Sequence, residues 1–484
     1  MKQYLYGVDV QGIQSYIFAT DKLKEIAGAS ELVEQVCSQF FEACLGSAYQ
    51  ANQVMRKAGG SIRYVFTDRE VCERLVRHFP RYVAERVPGL TSSQAVVPID
   101  GNLKMASEAL NRRLRQARLR PPTPSDLGWM IHERARRTGL PGVAYDRSDV
   151  IDEQQKSKLA AATDSQLLYK KLIGPHRHTD RHFAHDLSDL TPGDDRAYIA
   201  VVHADGNGLG QLIQTLLDKL NGEQQLRGYR TFSAKLQDAT EAAVQWAFHH
   251  INDDEALVDP AVQRLWIRPV LIGGDDVTVI MRAGLALRFT ALFLEAFERE
   301  TTERFSHFAA DNGVSEYFKN GLTACAGIAY VKENYPFHYA VDLAESLCTW
   351  TKVRAKKIDP DRAPSALHFH KVQSSFVGDY NEIVDTQLTT EKHTLTAGPY
   401  FLSTQADYLT IAELRDYVDY VCSPKAPAGP LRNWLGELQQ NKEQAEQRRQ
   451  RLVQVHSEAA RKFGLDKEIP ETLQLGDALA HLNL

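Results

Sequence analysis

The sequence predicts an α+β protein in which a βαββαβ unit occurs twice, with a helical linker between the copies and a helical domain after them. Three observations carry this. Strongly β-prone runs alternate with long helical stretches, and the same order of elements recurs in the two halves. Both halves also place an Asp at the end of the first strand, a Gly three residues later, and a Gly-Gly pair inside a hairpin.

The 484 residues suit about three domains at roughly 150 residues each. With 43% hydrophobic and 25% charged residues the chain reads as an ordinary globular protein, which excludes disorder and a disulfide scaffold. No apolar stretch approaches the roughly 20 residues of a membrane span, and the opening MKQYLYGVDV shows no secretory signal. Six scattered cysteines without a CxxC pair fit reduced thiols in a cytoplasm and exclude a cysteine-built zinc ribbon. A formal charge of -5 excludes wholesale coating of nucleic acid.

Taken in order, residues 2–10 alternate around Tyr4, Tyr6 and Val8 and end as a strand at Asp9. A helical region spans 21–50, followed by a run at 52–57, the Gly59-Gly60 pair and a strand over Ser61 to Phe66. A helix opens at Thr67-Asp68 and stops at Pro88-Gly89; a strand at 93–98 and a basic helix at 102–118 complete the first copy. The second copy begins with the β-prone run from Ala197 to His203, ending at Asp205. Helical sequence covers 208–252, a strand 265–272, the turn Gly273-Gly274-Asp275-Asp276 and a return strand Val277 to Met281. A helix at 284–305, a strand at 321–330, a helix at 337–357 and a strand at 365–369 follow. This is the ferredoxin-like arrangement of polymerase and cyclase palms. The predicted domains are a first, degenerate palm (1–120), a linker (121–195), a second palm (196–375) and a helical domain (376–484). Proline and glycine clusters at Pro121 to Pro124 and Thr191 to Asp195 mark the linker's ends.

In such a sheet the first strand lies beside the third, so Asp205 at one strand end should meet Asp275 and Asp276 at the turn of the other. Three converging carboxylates repel one another unless cations sit between them. Hard oxygen ligands suit Mg²⁺ or Mn²⁺, and two such ions about 3.5–4 Å apart suit in-line nucleotidyl transfer. Asp205, Asp275 and Asp276 are therefore the expected metal ligands and catalytic residues. Gly273 and Gly274 allow a tight hairpin without side chains to obstruct a nucleotide. Gly206, Asn207 and Gly208, with Gly210, form a nucleotide-binding segment whose backbone amides can approach phosphates at a helix start. Lys352 and Lys356, four apart on one helix face, are assigned to the triphosphate, whereas His203 reads as a structural histidine.

At these residues the chain resembles the large palm-containing subunit of type III CRISPR effector complexes, the CRISPR polymerase or cyclic-oligoadenylate synthetase family. The resemblance runs through Asp9-Val10-Gln11-Gly12, Ile26-Ala27-Gly28-Ala29-Ser30, the Gly59-Gly60 hairpin, Ala204 to Asn207, Gly273 to Asp276, Lys352, Lys356 and Leu367 to His370. It covers 1–120 and 196–375, with only helical character shared by the tail. It implies an enzyme that joins ATP into 3′–5′-linked cyclic oligoadenylates, or cyclic dinucleotides, for antiviral signalling. Aligning the Gly-Gly pairs sets Ser61 and Ile62 against Asp275 and Asp276, so the first palm is expected to be silent, with Asp9, Gly59 and Gly60 helping to hold a second nucleotide.

The family's nuclease domain is expected to be missing, because the first palm starts at residue 3, and its four-cysteine zinc element has no counterpart. His176, His178, His182 and His185 lie there instead and read as a polar loop. Arginines at 112, 113, 115, 118, 120, 134, 136 and 137 form either a solvated face or a surface for RNA or a partner subunit. The setting is either a subunit of an RNA-guided complex, with guide and target RNA and other effector subunits as partners, or a stand-alone enzyme that could form a homodimer. Two other readings are a GTP-using cyclase of the diguanylate type and a palm serving only as a scaffold.

Overall fold

The fold is α+β, and its two main sheets are built the same way. The computed structural model describes residues 2–100, 102–120, 131–163, 167–174, 182–184, 186–191, 198–221, 223–252, 258–259, 264–312, 318, 321–373, 380–390, 392–467, 469–482 and 484. In the first palm β1 (Gln3–Gln11) leads through a short helix (Ile13–Ile17) and α1 (Leu23–Gln35) to the hairpin of β2 (Val54–Ala58) and β3 (Ser61–Phe66). Helix α2 (Arg69–Arg86), strand β4 (Thr91–Ile99) and helix α3 (Leu103–Arg118) follow. The sheet order is β2-β3-β1-β4, all antiparallel. The Asp68 carboxylate starts α2, accepting from the amides of Glu70 and Val71 at 2.8 and 3.4 Å.

Two helices, α4 (Glu153–Thr163) and α5 (Leu167–Ile173), precede the second palm. There β5 (Tyr198–Gly206) is followed by α6 (Leu209–Lys219), α7 (Glu223–Asn252), β6 (Ile267–Gly273), β7 (Asp276–Arg282), α8 (Ala283–Asp311), β8 (Ala324–Lys332), α9 (Phe337–Ile358) and β9 (Ala366–Lys371). With β10 (Tyr400–Phe401) the order is β6-β7-β5-β8-β9-β10, whose first four strands repeat the first palm's order. Strand β5 is covered on both faces, which is why its sequence is almost wholly apolar. Ala200, Val202 and Ala204 point into a core made with the long helices behind the sheet. Ile199 and Val201 point the other way, into a core that also contains Tyr6, Val8 and Ile62 of the first palm. The two palms therefore share buried apolar surface and cannot separate without exposing it.

The helical stretch expected over 208–252 is two helices. Leu220 leaves helical geometry, with φ -105 and ψ 152, and buries its side chain over Gly228. In the C-terminal helical region the chain is likewise parted at His456, giving helices Lys442–Val455 and Ser457–Lys462. These and the helices Ile411–Cys422 and Ala428–Gln440 gather around buried Trp434, Leu431 and Phe463. Lys371 ties this helical region to the sheet, donating to the carbonyls of Ala480 and Leu482 at 2.9 and 3.0 Å. Residues 121–130, 192–197 and three of the four linker histidines (His176, His178, His185) lie outside the described residues; His182 falls in a two-residue strand.

The motif Ile26-Ala27-Gly28-Ala29-Ser30 lies on α1 where it meets α4. A Cβ on Gly28 would lie 1.7 Å from the Lys158 carbonyl oxygen, so the helices touch backbone to backbone. Buried Glu25 receives both arms of Arg137 at 2.6 and 3.1 Å, while Lys158 donates to the Tyr16 carbonyl at 2.6 Å. Gly28→Val is expected to cost at least about 3 kcal/mol of stability in chemical denaturation, since neither backbone can retreat without breaking these contacts.

Candidate active site

Strand register brings the acids together. Val277 pairs with Ala204 across β7 and β5, which sets Asp276 opposite Asp205, and Asp275 lies in the turn between β6 and β7. Oxygens of Asp205, Asp275 and Asp276 lie within 4.8 Å of one another. The Gly274-Asp275 turn needs φ +65 at Gly274, a left-handed conformation that a side chain would oppose. Packing is tight, because a Cβ on Gly206 would be 3.0 Å from the Asp275 Cβ.

Electrostatics divide the trio. Burial opposes ionisation of Asp205, but the Lys352 ammonium, together with hydrogen bonds from the other two carboxyls, holds it below the usual carboxylate range. Burial and the Asp205 charge push Asp275 up to about 6. Burial, then the charges of Asp275 and Asp205, push Asp276 up to about 8. Carboxyls that hold protons this firmly beside an ionised neighbour are short of positive charge, and the donor set of three hard oxygens fits a divalent cation.

Lys352, on α9, forms an ion pair with Asp205 and donates to the Gly206 carbonyl at 2.9 Å. It thus reaches the acids directly. Lys356 is one turn along the same helix and exposed. Asn207 is turned inward: its side-chain nitrogen donates to the Thr323 hydroxyl at 3.1 Å and the Ala363 carbonyl at 3.3 Å, locking the end of β5 to its neighbours. Gly208, with φ 69, starts α6 and leaves open space in front of it. His203 shares a hydrogen bond with the Thr278 hydroxyl at 3.0 Å, and burial lowers it to about 4, so it stays neutral.

Several residues around the turn carried no sequence signal. Gln237 and Thr240 of α7 hold Gly274, accepting from its amide and donating to its carbonyl, both at 2.6 Å. Lys171 of α5 donates to the Ile272 carbonyl and pairs with Glu34 of α1, both at 2.7 Å. Glu345 of α9, raised to about 7 by burial and then by Asp342 and Asp205, is a further acid near the trio. None of these lies near the turn in sequence. The one available hint was periodicity, since Glu345 and Lys352 are seven apart on one helix face.

The first palm corrects the alignment by one residue. Asp9 pairs with Ser61, and Ala58 pairs with Ser61 as Gly273 pairs with Asp276. Ser61 therefore stands where Asp276 stands, and Gly60 where Asp275 stands; Ile62 is the counterpart of Val277, and both are buried. Matching the Gly-Gly pairs by letters missed this because Ala58, not a glycine, ends β2. Asp9 receives the Ser61 hydroxyl at 2.9 Å, Arg63 at 2.8 Å and Arg118 at 3.1 Å. Burial alone would raise its carboxyl, but Arg63, Ser61 and Arg118 outweigh it and hold Asp9 below its usual range. Guanidinium groups surround the acid here, where in the second palm two further carboxyls do.

Residues 198–359 match the family model described as Cas10/Cmr2, second palm domain. That segment is a Cas10-like second palm. No curated protein matches the chain by sequence. Among solved structures it is similar to the Csm1-Csm4 cassette in complex with cA4, at 13% identity and a TM-score of 0.55 over 99% of this chain and 69% of that one. The cassette in complex with cA3 gives 14% and 0.57 over the same shares, and the apo cassette 14% and 0.50 over 97% and 66%. At such identities the likeness is one of fold.

A cavity of about 1060 Å³ lies elsewhere, between β9 and the C-terminal helices. Its carboxylate, Asp477, is already satisfied by Thr396, the Ala397 amide and Tyr400, so nothing there gathers a metal. The arginine run is partly committed to the fold. Arg118 serves Asp9, Arg137 serves Glu25, and Arg113 and Arg134 donate to carbonyls at 2.6 and 2.7 Å, while Arg112, Arg115 and Arg120 are exposed. Among the described residues no helix is long and apolar enough to cross a membrane.

Proposed function

We propose that this chain is a metal-dependent nucleotidyltransferase that joins ATP into cyclic oligoadenylate, releasing pyrophosphate, in CRISPR-type defence. The observation that supports this above the rest is the convergence of Asp205, Asp275 and Asp276 at the mouth of the second palm, with Lys352 beside them. Mg²⁺ or Mn²⁺, in two sites held by the three carboxylates, would supply charge for the triphosphate and acidify the attacking 3′-hydroxyl.

The protein's own groups do the rest. Lys352 keeps Asp205 ionised and brings a positive charge to where phosphates arrive, and Lys356 lies in reach of the outer ones. Gly206, Gly208 and Gly274 keep side chains out of the nucleotide's path. Gln237, Thr240 and Lys171 fix the turn, so the carboxylates are positioned before substrate binds. The first palm, its acid neutralised, seats the second nucleotide at Gly59, which faces Gly273, while Gly60 is packed inward against Ile13. The cassettes that share this fold contain Csm1 and Csm4, which supports a setting with other effector subunits.

The test is purified protein incubated with Mg²⁺ or Mn²⁺ and each of the four nucleoside triphosphates, with and without RNA, and products resolved by mass. Cyclic oligoadenylate from ATP is expected. Product from GTP alone would favour a diguanylate-type cyclase, and no product under any condition, with bound metal demonstrated, would leave the scaffold.

A further inference from the structure

We propose that Arg56, a residue of the first palm, holds the phosphates of a nucleotide whose base occupies the cavity between β2 and helices α6 and α7. This rests on reading the acidic trio as a nucleotidyl-transfer site and names a residue that neither the fold nor the trio assigns.

The cavity measures about 500 Å³, large enough for a nucleotide, and opens onto the acidic turn. Tyr49 and Arg56 line it from the first palm, and Tyr229, Ser233, Gly274 and Asp275 from the second. Two tyrosine rings and a hydroxyl offer stacking area and a hydrogen bond to a base. Arg56 sits at the junction of the two hairpins: a Cβ on Gly274 would be 3.6 Å from its Nη2, and one on Gly59 would be 3.9 Å away.

Its neighbours make Arg56 stand out. Arg63 and Arg118 bind Asp9, and Arg137 binds Glu25. Arg56 feels the charges of Asp275, Asp276 and Asp9, yet among the described residues its side chain forms no hydrogen bond or ion pair. The guanidinium is half-buried and no nitrogen of it is sealed from solvent, so its five donors are met by water that a phosphate can displace. Its planar fork matches phosphate oxygens, whereas a base alone offers it no negative charge. A phosphate lying between Arg56 and the trio would meet the guanidinium on one side and cations held by the acids on the other. The two glycine hairpins supply that gap, since side chains there would fill it.

The experiment is calorimetric titration of the full chain with Mn²⁺ present, using 3′-deoxy-ATP, which lacks the attacking hydroxyl, and 3′-deoxyadenosine, which lacks phosphates. Arg56→Met is expected to weaken 3′-deoxy-ATP about tenfold or more while leaving 3′-deoxyadenosine unchanged, and Arg56→Lys to recover part of the loss. Arg56→Gln, which keeps a polar chain, is expected to show the same loss as Arg56→Met and replaces it should the methionine variant not fold. Equal binding of 3′-deoxy-ATP by wild type and the uncharged variants overturns the proposal, as does an equal loss for the phosphate-free nucleoside. A wild-type chain that binds no 3′-deoxy-ATP while binding Mn²⁺ overturns the transferase reading itself, which is a different result.

Discussion

Asp275→Asn with Asp276→Asn should reduce product formation by at least about a thousandfold, or about 4 kcal/mol of transition-state stabilisation. The variant keeps the shape of both side chains but removes two of three converging charges, so cations lose their ligands while β6, β7 and the turn stay in register. The same double change should stabilise the metal-free protein at pH 8. Both carboxyls are raised in the folded state, to about 6 and about 8, from a usual value near 3.9. Their neutral forms favour the fold fully below pH ~4, and that advantage is lost as pH rises through the two folded values. At pH 8 the wild type carries the repulsion and the variant does not, whereas near pH 4 the two should melt alike. Adding Mn²⁺ should raise the melting temperature of the wild type only. Undiminished synthesis, or a variant stabilised by Mn²⁺ as the wild type is, would sink the assignment.

Lys352→Met should lower activity about tenfold to a hundredfold, and more at pH 7 than at pH 9. Lys352 is the ammonium that keeps Asp205 ionised against its burial and bridges it to the Gly206 carbonyl. Without that charge Asp205 rises toward its two neighbours, and the trio takes up a further proton at neutral pH. Cations then compete with that proton and bind more weakly, and raising the pH restores part of the loss. A pH–rate profile with Mn²⁺ titrations at pH 7 and pH 9 measures this directly. An unshifted profile with unchanged metal affinity would show that Lys352 merely decorates α9.

The sequence alone determined the α+β class, the doubling of the palm, and the three acids. Each was legible because its cause is local: a period-2 apolar run makes a strand, glycines make a hairpin, and an Asp closes a strand next to one. The tertiary structure decided what depends on register and on distant chain. It moved Ser61 from the place of Asp275 to that of Asp276, because strand pairing, not matching letters, sets which residues face each other. It turned Asn207 inward, neutralised Asp9 with two arginines, and brought Gln237, Thr240, Lys171 and Arg56 to a turn far from them in the chain. Such partners are chosen by packing across elements, where a side chain's neighbours are fixed by shared cores and not by spacing along the sequence.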